Sequence, residues 1–438
     1  MNNKVLYFIF LASAVYAAAI SCKKSDQTPQ PDPPQHLTIK SISPSSGPAG
    51  TVVTITGTNF SANITDDIVS INGKTAIVQR AKTDTLVVII PSKAGTGGIS
   101  VTVNGSTITT PVFTYIPKVY VTTLAGNGTR GNIDGPPASA EFNFLHSITV
   151  DRQGFIYAYD GTYRIKKISP TGDVSPFSGS GNAGYFDTVA NFAWFGNALG
   201  LAVNGQGYIY AADIECIRKV SPAGDVTTFA GKWRAQGYVD APDTAARFTN
   251  PYEVAIDSSG NMYVTDNGNH RIRKITPAGV VTTLAGSATG GYADGPLNTG
   301  QFYSMQYICA DAGGTVYVTD GQRIRKIVAG TITTLAGSGV NSYKNGTGTD
   351  ADFANPEGIA IDKQGNLYVA DNSNHCIRKI TPAGVVTLFA GTAEQSGFAD
   401  GPAETAKFYY PQSVAVDSDG NVYVADLGNN RIRKIYTE

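Results

Sequence analysis

The chain has 438 residues, with 33 Lys and Arg against 34 Asp and Glu, for a formal net charge of −1. This length allows two or three domains, and the balanced charge excludes the globally basic surface of a protein that binds nucleic acid or an anionic membrane through bulk charge. The 49 Gly, 23 Tyr and 3 Met are typical of a turn-rich protein built from β-strands.

The first segment is a predicted export signal. Lys4 precedes an apolar run over residues 5–20 that ends in small side chains, which is the pattern of a secretory signal peptide. The run leads into Cys22 through a sequence that resembles the bacterial lipobox, in which the cysteine is lipidated. We therefore expect a signal peptide over residues 1–21 and, over residues 22–36, a lipidated Cys22 with a Pro-rich tether. An ordinary signal peptide followed by an incidental cysteine is the alternative.

Residues 37–116 predict a small β-sandwich. They contain alternating Val, Ile and Thr, turns rich in Pro and Gly, and a hairpin around Asn72 and Gly73. Five to seven strands are expected in a segment of this length. The stretches ISPSSGPAGTVVTITGTNF, VSINGKTA and GGISVTVNG resemble IPT/TIG domains, which are immunoglobulin-like. The resemblance implies a spacer or an interaction module.

Residues 117–438 are repetitive. A VTTLAG-like element and a RIRKI-like element each occur six times. The segment begins with a VTTLAG-like element and ends with a RIRKI-like element, so the last RIRKI-like element has no VTTLAG-like element after it. This offset predicts that the strand near residues 119–125 completes the last unit, which favours a closed six-bladed β-propeller over an open solenoid. The RIRKI-like elements, spaced by 52, 55, 52, 53 and 55 residues, begin at Arg164, Cys216, Arg271, Arg323, Cys376 and Arg431.

The repeat sequences GIAID, GNLYVAD and NHRIRKI resemble NHL repeats over about residues 118–438. The resemblance is strongest in repeats three, five and six, whereas repeat two has Asn204 and Glu215 at positions where Asp and His or Asn are expected. It implies a propeller whose inner strands line a central channel. The predicted fold is therefore all-β, with an Ig-like sandwich followed by a six-bladed propeller.

Two charged positions recur in every repeat. An Asp ends the second strand, and an Arg or Lys lies in the third strand. Because acid and base alternate regularly, we expect ion pairs within and between blades, rather than a ring of metal ligands or a basic track for nucleic acid. The positions are Asp160, Asp213, Asp266, Asp320, Asp371 and Asp426, with Lys166, Arg218, Arg273, Arg325, Arg378 and Arg433.

Positions that differ among the repeats are the candidate binding residues. Those just before each inner strand are polar or aromatic and should ring one mouth of the channel, where amides, a carboxylate and aromatic rings suit a sugar. Trp194, Trp233 and Tyr410 are irregular aromatic residues and additional ligand candidates. The predicted ligand-binding residues are His146, Trp194, Asn197, Tyr252, Glu253, Tyr303, Gln306, Tyr307, Glu357, Tyr410 and Gln412.

The favoured interpretation is a monomeric, non-catalytic lipoprotein of the bacterial outer membrane that faces the periplasm or the exterior and binds an extracellular glycan. A protein-interaction scaffold in an envelope assembly is the alternative, and a metal-dependent propeller lyase or lactonase is a third interpretation. The sequence shows no activated Ser, no Cys–His pair and no metal-ligand spacing, so no catalytic residue, metal or cofactor is predicted. His146 and Glu357 are the acid–base candidates of the ring, and nucleic acid is not an expected partner.

Overall fold

The computed structural model describes residues 36–438. The predicted signal peptide, the predicted lipidation at Cys22 and the tether up to residue 35 lie outside the described residues. Within the described range the regular elements are β-strands and short 3-10 turns, so the all-β prediction is confirmed. No helix in this range is long and apolar enough to cross a membrane.

The N-terminal domain is a sandwich of two β-sheets, as predicted. Alternation along Val52–Thr58 buries Val53 and Ile55 completely between the sheets, against Leu86 and Phe113. In spatial order, the first sheet contains Thr38–Ser43, Val52–Thr58, Thr85–Ile89 and Ile77–Lys82. The second contains Ser46–Gly47, Ser106–Tyr115, Gly97–Val103, Asp67–Ile71 and Lys74–Thr75.

The second domain is a ring of six four-stranded antiparallel blades, in which the inner strands of neighbouring blades contact each other around the channel. The strands, from the channel outward, are Ser147–Val150, Ile156–Asp160, Arg164–Ile168 and Val174–Ser178 in blade 1, and Ala198–Val203, Ile209–Asp213, Cys216–Val220 and Val226–Gly231 in blade 2. Blade 3 has Pro251–Ile256, Met262–Asp266, Arg271–Ile275 and Val281–Ala285, and blade 4 has Met305–Ala310, Val316–Asp320, Arg323–Val328 and Thr331–Ala336. Blade 5 has Pro356–Ile361, Leu367–Asp371, Cys376–Ile380 and Val385–Ala390, and blade 6 has Pro411–Val416, Val422–Asp426, Arg431–Thr437 and Val119–Ala125.

Short elements decorate the blade edges and loops. Two-residue strands at Gly295–Pro296, Gly346–Thr347 and Gly401–Pro402 extend blades 4, 5 and 6. The 3-10 turns are Ala190–Phe192, Asp243–Ala245, Asn267–Asn269, Gly348–Asp350, Asn372–Asn374 and Leu427–Asn429.

The ring closes in the predicted way. Val119–Ala125 pairs antiparallel with Arg431–Thr437, so that the first strand of the ring domain is the outer strand of the last blade. This pairing gives blade 6 the same four strands as the others and leaves no blade incomplete. Strand Ser106–Tyr115 of the sandwich ends only a few residues before this closing strand, so the sandwich leads directly into the closure.

A recurrent phenylalanine packs between neighbouring blades. It precedes each inner strand and is completely buried, and burial of such a side chain contributes roughly 1.5–3 kcal/mol. The six residues are Phe142, Phe195, Phe248, Phe302, Phe353 and Phe408. The propeller core is therefore a repeated inter-blade interface.

The recurrent charges form buried ion pairs, as predicted. In blade 3, Arg273 Nη1 lies 2.8 Å from Asp266 Oδ2, and both side chains are completely buried. Its Nη2 reaches Asp240 at 2.5 Å, and Asp266 Oδ1 accepts the backbone N–H of Thr249 at 2.8 Å. Blades 2, 4, 5 and 6 have the same buried Arg–Asp pair at 2.7–2.9 Å, and blade 1 has a Lys instead of the Arg.

Aromatic side chains of the long loops cover these arginines. Tyr238 has its ring centroid 4.0 Å from the guanidinium of Arg271 and 5.0 Å from that of Arg273. Tyr292, Tyr343 and Phe398 occupy similar places against the arginines of blades 4, 5 and 6. The regular aromatic positions are therefore part of the packing frame.

Candidate functional site

The inner strands enclose a central channel of about 230 Å³. Its hairpin end is ringed by one half-buried aliphatic residue from each blade: Val150, Val203, Ile256, Ala310, Ile361 and Val416. Its opposite end, where the inner strands begin, carries the polar and aromatic residues that the sequence singles out. The aliphatic ring at the hairpin end is bordered by the polar turns of the hairpins, which include Asp151, Arg152 and Asp257.

Side chains from opposite blades meet at the polar end and close it. Tyr307 of blade 4 donates its hydroxyl proton to the backbone oxygen of His146 in blade 1, at 2.8 Å. Gln412 Nε2 of blade 6 donates to the Tyr307 hydroxyl at 3.1 Å, and Asn372 Nδ2 donates to Gln412 Oε1 at 3.3 Å. We call Ser147, Glu253, Tyr307 and Gln412 the mouth plug.

Glu253 extends the mouth plug from blade 3 to blades 1 and 2. Ser147 Oγ donates to Glu253 Oε2 at 3.3 Å and accepts the backbone N–H of Leu201 at 3.0 Å. The Val254 N–H donates to Glu253 Oε1 at 3.0 Å. A Cβ atom at Gly200 would lie 2.4 Å from Glu253 Oε1, so glycine at this position leaves the room that the carboxyl group occupies.

A second buried carboxyl group lies beside the plug. Asn355 Nδ2 donates to Glu357 Oε1 at 2.8 Å, and the Gln306 amide, oriented by its hydrogen bonds, donates to Glu357 Oε2 at 2.7 Å. The Tyr252 ring packs edge-on against Tyr307, with the ring centroids 5.5 Å apart. Glu357 is thus joined to the plug through aromatic packing and neighbouring amides.

Neither carboxyl group has a cationic partner. No ion pair within residues 36–438 includes Glu253 or Glu357. Burial raises the pKa of Glu357 from its ordinary 4.5 to about 7, against the opposing effect of the Asn355 hydrogen bond. Burial also raises the pKa of Glu253 well above its ordinary value and lowers that of His146. Burial without a cationic partner therefore favours the neutral form of both carboxyl groups.

Two exposed aromatic residues stand beside the plug on neighbouring blades. Phe144 in blade 1 stacks on the His146 imidazole, with the ring centroids 6.4 Å apart, and Tyr410 in blade 6 immediately precedes Pro411 and Gln412. Both are 40% exposed, and both have a left-handed backbone, with φ of +53° at Phe144 and +49° at Tyr410. We call Phe144 and Tyr410 the aromatic flank.

Further side chains support the aromatic flank. The Arg130 guanidinium lies 3.8 Å from the Phe144 ring centroid. His375 Nδ1 accepts the backbone N–H of Tyr410 at 3.2 Å, and the Tyr409 ring packs 4.9 Å from the Tyr410 ring. The two rings are therefore held in place by contacts within the protein.

The structure brings together seven of the eleven predicted ligand-binding residues around the plug: His146, Tyr252, Glu253, Gln306, Tyr307, Glu357 and Gln412. Tyr410 flanks this group. The other three do not contact it through the polar or aromatic interactions described: Trp194 packs on Phe186, Tyr303 packs on Tyr292, and the Asn197 backbone N–H donates to Asp213.

Sequence reasoning missed several participants. Ser147 and Asn355 were not among the predicted residues, although both bind a buried carboxyl group. Phe144 is likewise absent from the predicted ligand-binding residues. Its signal was available in the sequence, since blades 3 and 5 have Asn250 and Asn355 at the equivalent position.

The described part of the chain contains no cluster of three or more His, Cys, Asp or Glu residues placed to hold a metal ion. Cys216, Cys309 and Cys376 are free and buried, and the recurrent pair Cys216 and Cys376 behaves as small core residues.

Comparison with known proteins agrees with this architecture. The family model for the IPT/TIG domain matches residues 37–115, and that for the NHL repeat matches residues 248–275, 353–380 and 408–435. The chain contains an IPT/TIG domain followed by NHL repeats. The three matched repeats are blades 3, 5 and 6, the ones in which the sequence resemblance is strongest.

Two curated relatives match about two thirds of the chain or slightly more at low identity. Mouse teneurin-4 is 25% identical over 363 residues, which cover 71% of this chain and 13% of the teneurin. Chicken NHL repeat-containing protein 2 is 26% identical over 341 residues, which cover 67% of this chain and 46% of that protein. The chain thus spans less than half the length of either relative.

Two solved structures share the two-domain fold. An auxiliary nutrient binding protein from Bacteroides ovatus has a TM-score of 0.67 at 20% identity, covering 93% of this chain and 99% of that one. A structural genomics protein from Bacteroides thetaiotaomicron has a TM-score of 0.62 at 23% identity, with the same coverage. At these identities the likeness establishes the fold of the NHL propeller and its companion domain.

Proposed function

We propose that this chain is a non-catalytic binding protein of the bacterial cell envelope and that its NHL propeller binds a glycan across the closed mouth of the channel. The aromatic flank is the observation that carries the proposal. Phe144 and Tyr410 each present an exposed ring beside the mouth plug, and their positions on neighbouring blades suit a sugar chain that crosses from one blade to the next.

The backbone of the aromatic flank argues that the rings serve binding. A left-handed conformation costs a bulky L-residue on the order of 1–2 kcal/mol, whereas asparagine adopts it readily. Asn250 and Asn355 occupy the same position in blades 3 and 5, with φ of +52° and +55°. The fold therefore accepts asparagine here, and two solvent-exposed aromatic rings in this conformation are typical of a functional surface.

The mouth plug supplies the polar half of a sugar site. Sugar rings present an apolar face for stacking and hydroxyl groups that both donate and accept hydrogen bonds. His146, Gln306 and Gln412 are half-buried, so their polar groups border the surface beside the aromatic flank. Because the plug closes the channel, the proposed glycan lies over the mouth and does not thread the ring.

The rest of the proposal concerns cellular location and oligomeric state. It includes the predicted signal peptide, the lipid anchor at Cys22, attachment to the outer membrane and a monomeric state. The resemblance in fold to a Bacteroides protein named as an auxiliary nutrient binding protein supports an envelope binding role. In this arrangement the IPT/TIG domain is a spacer between the membrane and the propeller.

Affinity electrophoresis of the purified chain in gels that contain a panel of polysaccharides tests the proposal. We expect at least one glycan to retard the protein, and the substitutions Phe144→Asn and Tyr410→Asn each to weaken that interaction by about tenfold or more, which is about 1.4 kcal/mol. The unfolding free energy of both variants should be equal to or above that of the parent, because asparagine relieves the left-handed strain.

Phe186→Ser is the matched control, because Phe186 is an exposed aromatic residue that packs on Trp194 in a long loop. It should leave the retardation unchanged. The proposal is rejected when no glycan retards the protein, or when both flank variants bind as the parent does. Capture of a specific protein by crosslinking in cells, without glycan binding, would favour the scaffold alternative.

A further inference from the structure

A groove of about 550 Å³ lies at the outer rim of blade 2, away from the channel. One side is formed by Tyr185 and by the segment from Gly231 to Trp233. The other side is formed by Thr244, Ala245 and Arg247 of the loop that leads into blade 3. The channel residues take no part in this groove.

Blade 2 differs from blades 1, 4 and 6 at two positions that face each other in those blades. Where blades 1, 4 and 6 begin their third strand with an arginine, blade 2 has Cys216. Where those blades have a glycine after the outer strand, blade 2 has Trp233. The arginine and glycine pairs are Arg164 with Gly181, Arg323 with Gly339, and Arg431 with Gly128.

The two differences compensate each other. In blades 1, 4 and 6 the guanidinium lies so close to the glycine that a Cβ atom there would be 2.2–2.8 Å from it. In blade 2 the small Cys216 leaves that space free, and the Trp233 indole stacks on Tyr185 with the ring centroids 5.3 Å apart. Gly196 leaves further room, since a Cβ atom there would lie 2.6 Å from the indole.

The loop that carries Trp233 is held by a residue specific to blade 2. Glu215 is buried and accepts the backbone N–H of Arg234 at 3.0 Å and the Gln236 side-chain amide at 3.2 Å. The Ala235 N–H donates to the Lys232 oxygen at 3.1 Å and closes a turn. The position of Trp233 is therefore built into the loop.

The groove combines an aromatic wall with positive charge. Trp233 is half-buried, and the groove walls are mostly apolar. Lys232 and Arg247 are the charged residues among those that line it, and none of the lining residues described is acidic. The Arg234 guanidinium adds a third cation 5.6 Å from the Trp233 ring. The residues that line the groove thus carry positive charge in a chain whose net charge is −1.

We propose that the blade 2 groove is a second glycan site, selective for an anionic sugar. The sugar ring would stack on Trp233, and its carboxylate or sulfate group would meet Lys232 and Arg247. Indole faces bind sugar rings through their apolar surface, and charge-assisted hydrogen bonds from Lys and Arg select anionic groups. The site is separate from the mouth and does not depend on glycan binding there.

Intrinsic fluorescence gives a direct readout of this groove, since the chain has only 2 Trp. Trp194→Phe leaves Trp233 as the sole indole. We expect the emission of this variant to change saturably on titration with polygalacturonate or with dextran sulfate, and not with neutral dextran. A response to the first assigns a carboxylated sugar, and a response to the second assigns a sulfated one.

Charge variants complete the test. Lys232→Gln should weaken the effective anionic polymer by about tenfold, and Lys344→Gln, which removes an exposed lysine of blade 5, should change nothing. The same binding to neutral dextran, no response to either anionic polymer, or equal losses in the two lysine variants would overturn the proposal. The Phe144→Asn, Tyr410→Asn double variant should keep the Trp233 response, so failure of the mouth site and failure of this groove are distinguishable.

Discussion

The outer ion-pair clusters and the channel mouth both bury carboxyl groups, but only the clusters give them a cationic partner. Asp266 in blade 3 has a buried arginine at 2.8 Å and a backbone N–H at 2.8 Å. Glu253 and Glu357 at the mouth are bonded by a hydroxyl, amides and backbone, without an arginine or lysine. Burial raises the pKa in both groups, but the recurrent carboxyl groups have a buried cation as partner and Glu253 and Glu357 have none.

This difference separates the frame from the site. A position that recurs six times must satisfy the same local geometry in each blade, so its chemistry serves folding. A position that occurs once is free to leave a carboxyl group uncompensated or an aromatic ring exposed. Such departures from local consistency are expected where a protein carries its function.

The largest expected effect comes from breaking one outer cluster. Arg273→Met leaves Asp266 buried without its cation, so the unfolding free energy of the propeller should fall by about 3–5 kcal/mol in urea titrations. The exposed-lysine substitution Lys344→Met should change it by less than about 0.5 kcal/mol. Adding Asp266→Asn to Arg273→Met should recover part of the loss, and equal losses in the single and double variants would contradict the account.

The next effect concerns pH at the mouth. The pKa of Glu357 is about 7 in the folded protein and 4.5 ordinarily, so the folded state holds this proton more tightly than the unfolded state does. Protonation of Glu357 therefore stabilises the folded protein, and this stabilisation is complete below about pH 4.5. That stabilisation is lost as pH rises through about 7, and amounts to at most about 3 kcal/mol. Glu357→Gln should flatten the fall in unfolding free energy between pH 4.5 and 8. The exposed control Glu404→Gln should follow the parent curve, and a parallel curve for Glu357→Gln would show the shift to be absent.

The smallest effect is expected from restoring an ion pair in blade 5, whose arginine cluster lacks the outer Asp of the other arginine clusters. Arg378 in blade 5 meets Asn345 where the other arginine clusters have an Asp. Asn345→Asp should raise the unfolding free energy by less than about 1 kcal/mol, with a gain that shrinks in high salt, because the position is exposed. Asp240→Asn in blade 3 is the mirror test and should lower it by a similar amount. A change of the same sign in both variants would contradict the pairing.

Much of the fold could be predicted from the sequence because the same pattern of strands and turns recurs in six repeats. The regular spacing of the RIRKI-like elements indicated blades, and the offset between the two elements indicated closure by Val119–Ala125. The pairing of Asp266 with Arg273 followed from the regular alternation of acid and base. Each of these inferences depends on local periodicity or on order along the chain, which a sequence displays directly.

The arrangement of the mouth could be predicted only in part. Alignment of the repeats selected Glu253, Tyr307 and Gln412, but it could not show that Tyr307 reaches His146 across the ring and closes the channel. It also placed Tyr303 with them, and Trp194 was added as an irregular aromatic residue, although both pack within their own loops. Contacts between residues more than 100 positions apart depend on ring diameter and side-chain direction, which repeat alignment does not contain.

The sequence by itself determined the two-domain β architecture, the blade count and the closed ring, because hydrophobic alternation and repeat spacing are written along the chain. Only the tertiary structure decided that the mouth is closed, that Glu253 and Glu357 lie buried without cations, and that Trp233 stacks on Tyr185 at the rim of blade 2. Those features arise where side chains from different blades compete for one volume. Their geometry and electrostatics exist only once the ring has formed.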